Sequence, residues 1–304
     1  MMPAQTRIQN DFIKSSLIIS QRKKLMKLKS DKVIKGMVFA GCSFTWGQGL
    51  YFYSNLPTLV EPKPHHYDNT LVKETHMAYM RSVRHPRLVA NHFNTYEITQ
   101  PFNGGAHDSI LNWWKASFSK DPNWNLESTF TVPKLDYSDI SHLVFQCTQS
   151  HRCWFMLNDK DNRPYQINFN DVYRPENRDN FTKWLNENNM TDDDFQQYYV
   201  TQSMDKVKNF LQEVESNGVK TVIFTWPSQN LPYIKNDPWL SERFVNFKYK
   251  DVTYDSIETL MRNNAELEIL RDADNFEITP GDHHPSQKCH QVMAENIINH
   301  IEKM

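Results

Sequence analysis

Gly36-Met37-Val38-Phe39-Ala40-Gly41-Cys42-Ser43-Phe44-Thr45-Trp46-Gly47 is the stretch on which the reading of this chain turns. The apolar run from Val33 to Ala40 has the length and composition of a buried strand, bounded by glycines. A serine set just past such a strand, among small residues, can expose its hydroxyl and bring backbone N–H groups to the same spot. A nucleophilic serine needs that geometry. An ordinary strand-to-helix turn with Ser43 as N-cap fits the same residues.

Working outward, further strands follow at Thr95–Thr99, Leu143–Cys147 and Val219–Trp226, with a fifth expected at Glu266–Leu270. Helical patterns lie between them. Ile110-Leu111 and Trp113-Trp114 belong to one, with Asp108 placed to cap it. Thr191 and Asp194 open another as a capping box, and its apolar positions run from Phe195 to Val214 before Gly218 stops it. Residues 255–264 form a short helix. Ser286 starts a last helix with Cys289, Val292, Met293, Ile297 and Ile301 on one face. Strands alternating with helices imply an α/β protein with a mainly parallel sheet and helices on both faces.

The remaining segments read as additions to this frame. Residues 1–32 form an N-terminal extension, helical over 6–30, with a solvated basic end from Arg22 to Lys29. Residues 33–304 form one domain with insertions at about 50–90 and 155–190. The first insertion is irregular and proline-containing and carries His65-His66. The second is polar and shows no periodicity. Two neighbouring histidines without a third spaced ligand do not make a metal site.

Bulk properties narrow the function. At 39% hydrophobic and 13% aromatic residues, 304 residues can bury a sizeable core, which argues against disorder. A net charge of -2 gives no basis for nucleic-acid binding. No apolar run reaches the ~18 residues of a membrane span. Leu17-Ile18-Ile19 is too short for a signal peptide, and its basic residues follow rather than precede it. Cys42, Cys147, Cys153 and Cys289 form no C-x-x-C pair, so they read as reduced thiols of a cytoplasmic protein without zinc.

Polar stretches follow three of the strands, and a fourth precedes the last helix: Gly41–Gly47, Asn103–Ser109, Thr148–Arg152 and Gly281–Ser286. In a doubly wound sheet, loops after the strand C-termini gather at one edge, where ligands bind. Ser43, a glycine of Gly104-Gly105, Gln149 and His284 can therefore converge across most of the chain.

This order resembles the SGNH, or GDSL-type, serine hydrolases. Gly41-Cys42-Ser43-Phe44-Thr45-Trp46-Gly47 matches that family's serine and both glycines, with Cys42 where Asp is usual. Asp282-His283-His284-Pro285 is similar to a short form of its last block. Gly105, with Gly104 as alternative, stands where the family has an oxyanion glycine, and Gln149 stands where it has Asn. The third block, ending in Arg152, is also similar to divergent hydrolase-like proteins encoded by bacteriophages.

The resemblance implies a three-layer α/β/α sandwich with a flavodoxin-like five-stranded sheet. It implies Ser43 as nucleophile, His284 as base and Asp282 as its orienter. The oxyanion donors would be the Ser43 and Gly105 N–H groups and the Gln149 amide. No cofactor or metal is required. The expected reaction is hydrolysis of a short-acyl or acetyl ester through an acyl-enzyme. The expected substrate is a small molecule or a carbohydrate, the latter on the strength of Trp154, Trp226 and Trp239. His283 remains an alternative base. A non-catalytic, virion-associated binding protein that retains the fold, or an acyltransferase using the same site, are the competing functions.

Overall fold

The computed structural model describes residues 34–47, 50, 74–100, 106–119, 132, 134–150, 154–158, 161, 163–168, 174–268 and 284–304. The N-terminal helix, His65-His66, Gly104-Gly105, Asp282 and His283 lie outside the described residues. The first strand, β1 (Gly36–Ala40), runs directly into a single turn of helix, α1 (Ser43–Trp46). Helices α2 (Glu74–Val83) and α3 (His85–His92) lead to β2 (Tyr96–Thr99). Helix α4 (His107–Phe118) precedes β3 (Ile140–Cys147). A hairpin, β4 (Trp154–Asn158) and β5 (Pro164–Asn168), is followed by α5 (Pro175–Glu187), α6 (Asp192–Ser216) and β6 (Lys220–Thr225). Short helices α7 (Leu231–Asn236) and α8 (Pro238–Glu242) come next. The hairpin β7 (Phe247–Tyr249) and β8 (Val252–Tyr254), helix α9 (Ile257–Arg262) and the last helix α10 (Gln287–Ile301) complete the described chain.

Four strands form one parallel sheet in the order β2-β1-β3-β6, so the serine-bearing strand is internal. Side chains alternate across a strand, and they divide the core in two. Val38, Ala40, Leu143, Phe145 and Ile223 pack with α4 and α6 on one face. Met37, Phe39, Val144, Val222 and Phe224 pack with α3, α9 and α10 on the other. Helices thus cover both faces, as the near-continuous apolar strands require. Among the described residues no helix is long and apolar enough to cross a membrane.

Several local expectations are corrected. The fifth strand at Glu266–Leu270 is absent among the described residues. Ala265–Leu267 is a 3₁₀ turn that buries Leu267, and Glu268 makes only an isolated antiparallel bridge to Pro285. Beside β6 the chain instead offers a single parallel bridge, Ile223 to Phe244, closed by Ile223 N–H to Arg243 C=O and Val245 N–H to Ile223 C=O, each at 2.9 Å. The segments read as irregular are partly regular. Helices α2 and α3 occupy the second half of 50–90, with Pro86 tolerated in the first turn of α3. The 155–190 insertion holds the β4–β5 hairpin and α5. That helix buries only Phe181 among its described side chains, so it carries little apolar periodicity. Ala106, not Asp108, is the N-cap of α4, and Asp108 instead pairs with Lys206 of α6 at 2.8 Å. The Thr191–Asp194 capping box is present, and Gly218, at φ 83°, follows the end of α6.

Three histidines are fully buried in this core. His290 of α10 accepts the backbone N–H of His85 at Nδ1 (3.2 Å). Its Nδ1 also lies 3.0 Å from Nδ1 of His85, and the two rings stack. An acceptor at Nδ1 requires the His290 ring to be neutral, and His85 Nδ1 is then the donor. Burial is the main cause that holds His85 well below the usual histidine range and brings His290 to about 3; His107 is brought to about 4. The sign follows from linkage. The unfolded chain binds protons near the ordinary pKa of 6.5, the folded chain only well below it. This stability is therefore complete above about pH 6.5 and is lost as pH falls toward 4. We expect the urea midpoint to fall between pH 7 and pH 5, on the order of 1 kcal/mol per pH unit for each buried histidine inside its window. Equal midpoints at the two pH values would contradict neutral burial.

Candidate active site

Strand β1 ends at Ala40, and the backbone that follows is buried, so its polar groups need partners other than the sheet. Two glutamines provide them. Gln100, one residue past β2, accepts the Gly41 N–H at Oε1 (3.3 Å) and donates from Nε2 to the Gly41 carbonyl. Trp114 of α4 donates to the same Oε1 at 3.2 Å. Gln146, inside β3, accepts from both the backbone N–H (3.1 Å) and the hydroxyl (2.5 Å) of Thr45. Its Nε2 donates to Cys42 Sγ at 3.3 Å. Sequence reading missed both glutamines. The available signal was an amide inside the apolar run Val144-Phe145-Gln146-Cys147.

The two glycines of the serine block have separate reasons. A Cβ at Gly41 would stand 2.1 Å from Thr45 Oγ1 and 2.7 Å from Gln146 Oε1, so the turn closes only without one. Gly47 ends α1 in the left-handed region at φ 86°, with its N–H on the Ser43 carbonyl. The N-cap is Cys42, in extended geometry, rather than Ser43. Ser43 is the first residue of α1, so its backbone N–H has no acceptor within that helix. The residue is 8% exposed.

The start of the last helix places His284. Ser286 caps α10 by accepting the Cys289 N–H, and its own N–H donates to Leu267 C=O at 2.7 Å. With the Glu268–Pro285 bridge, this fixes the residue just before them. His284 Nε2 lies 3.1 Å from Ser43 Oγ, over a sequence separation of 241 residues. Phe44 meets the His284 ring edge-on at 5.1 Å and Trp226 at the same distance. A hydroxyl hydrogen-bonded to an imidazole nitrogen is the arrangement that activates serine as a nucleophile.

Other expected site residues are placed less completely. Gln149 is half-buried, two residues beyond the end of β3, which is the strand beside β1. Its segment is fastened by Asn230, which donates to Thr148 C=O (2.9 Å) and accepts from Ser150 Oγ (2.8 Å). Gly105 and Asp282 lie outside the described residues. Cys42, Cys147 and Cys289 are free thiols and buried. Among the described residues no three His, Cys, Asp or Glu side chains are grouped to hold a metal ion.

Comparison with protein-family models, curated proteins and solved structures finds no match.

Two substitutions test the turn itself. Gly41→Ala is expected to destabilise the protein by about 1–3 kcal/mol through overpacking. Gln146→Leu is expected to cost about the same by leaving both Thr45 donors buried and unpaired. Urea unfolding measures both. A Gly41→Ala protein of unchanged stability would mean that the turn has room that the geometry denies.

Proposed function

We propose that the chain is an SGNH-type serine esterase that hydrolyses a small carboxylic ester through an acyl-enzyme. The carrying observation is the 3.1 Å contact between Ser43 Oγ and His284 Nε2, two residues far apart in sequence and joined at the C-terminal edge of a parallel sheet. As Ser43 attacks the ester carbonyl, His284 takes its proton at Nε2 and returns it to the leaving alcohol. Water then repeats the sequence on the acyl-enzyme. In this reading the Ser43 N–H, Gly105 and Gln149 stabilise the oxyanion, and Asp282 is the orienter of the imidazole. Each such donor is worth about 2.7–4 kcal/mol. Phe44 beside the histidine, with Trp226 packed on Phe44, supplies an apolar wall suited to a short acyl group or a sugar ring. In this reading the Ile223–Phe244 bridge stands where the family's fifth strand would lie.

A fluorophosphonate probe is expected to label the wild-type protein and not Ser43→Ala. Short-chain nitrophenyl esters are expected to be hydrolysed by the wild type and by His283→Ala. His284→Ala is expected to lose that activity, by about 10³-fold or more. Equal ester turnover by wild type and Ser43→Ala would sink the serine mechanism. A folded wild type that neither labels nor turns over would favour a binding protein built on the same frame. A dead His283→Ala beside an active His284→Ala would move the base by one residue.

A further inference from the structure

His107 is the first residue of α4; it is 2% exposed, and its ring is tilted against Phe145 of β3. Both ring nitrogens are engaged. Nε2 lies 2.9 Å from the backbone nitrogen of Thr148, which can only donate, so Nε2 is the acceptor. The proton therefore sits on Nδ1, which donates to Ser203 Oγ of α6 at 2.6 Å. Burial keeps the ring neutral, bringing its pKa to about 4, and a neutral ring is what an acceptor nitrogen requires.

The Thr148 residue is thereby gripped at both of its backbone polar groups by side chains from different elements. His107 holds its N–H, and Asn230 holds its C=O. Immediately upstream, Cys147 C=O accepts the Trp226 N–H at 3.0 Å. Irregular backbone just past a strand is ordinarily free to shift. Here it is fixed on both sides, and the next residue is Gln149. An oxyanion donor works only if it is already in place when charge develops.

We propose that His107 is a positioning residue, holding the Thr148–Gln149 segment so that the Gln149 amide stands ready for the oxyanion. The assignment rests on the serine-esterase reading of the site. His107 touches no reacting atom, and its effect passes through the Thr148 peptide. It gives a role to a core histidine with both ring nitrogens occupied at this place.

The test is steady-state hydrolysis of a short-chain nitrophenyl ester by the full-length chain. His107→Phe keeps the volume and loses the acceptor. We expect kcat to fall about 10- to 100-fold with KM nearly unchanged. His107→Gln, whose carbonyl can accept the Thr148 N–H, is expected to regain most of that loss. His107→Phe combined with Gln149→Ala is expected to be no slower than the slower single variant, because both remove the same donor. If His107→Phe does not fold, Ser203→Ala replaces it, with a smaller loss in kcat and the same non-additivity. A folded His107→Phe or Ser203→Ala with full kcat overturns the proposal, as do a loss confined to KM and losses that multiply with Gln149→Ala. In those outcomes the wild type still turns over ester and labels at Ser43. Absence of both in the wild type overturns the esterase reading instead, and this proposal with it.

Discussion

The buried amide of Gln146 is the interaction on which the serine turn depends. A central strand of a parallel sheet has its polar groups satisfied by both neighbours, and that support stops where the strand ends. Beyond Ala40 the backbone stays inside the protein, and each unpaired group there would cost about 1–3 kcal/mol. Gln146 meets the need from β3 by accepting both donors of Thr45, and Gln100 meets it from the end of β2 by pairing with the Gly41 peptide. The closeness of these amides forbids a side chain at Gly41. Packing and polar satisfaction thus impose one shape on five residues, and Ser43 inherits its position from that shape.

Cys42 fits the same arrangement. Its sulfur receives Gln146 Nε2 and lies 3.9 Å from Ser43 Oγ. A carboxylate there would be a buried charge beside an amide, whereas a thiol is a small apolar group that tolerates a weak donor. The opposite side of the site is built with a different device. Pro285 and Ser286 are stitched to residues 266–268, and Ser286 starts α10, so His284 is held by a helix start rather than by a strand. Two rigid anchors, one at the end of β1 and one at the head of α10, therefore set the distance between hydroxyl and imidazole.

Much of this was legible because it rests on local pattern. The strand and its small-residue turn, the Thr191–Asp194 capping box, the one-sided apolar face of α10 and the Ser286 cap all follow from composition and spacing within a few residues. The failures share a different cause. Helix α5 is mostly exposed and the β4–β5 hairpin mixes polar with apolar residues, so neither shows a periodic signature. At Glu266–Leu270 a short apolar run suits a strand as well as a buried turn. The core around Leu267 decided for the turn. Asp108 looked like a cap because of its residue type, but Ala106 takes the cap position and Lys206 the carboxylate, a pairing 98 residues distant.

From sequence alone came the α/β class, the parallel sheet and the two blocks holding Ser43 and His284, since hydrophobic periodicity and turn chemistry are short-range. Tertiary structure alone decided that these two side chains meet. It also decided that Gln100 and Gln146 serve the serine turn and that His107 reaches the Thr148 peptide. The physical reason is range. A glutamine in a strand and a histidine at a helix start have the same local preferences whether or not they find a partner. Their partners lie 41 to 241 residues away in sequence and become neighbours only when four strands align and both faces of the sheet are covered.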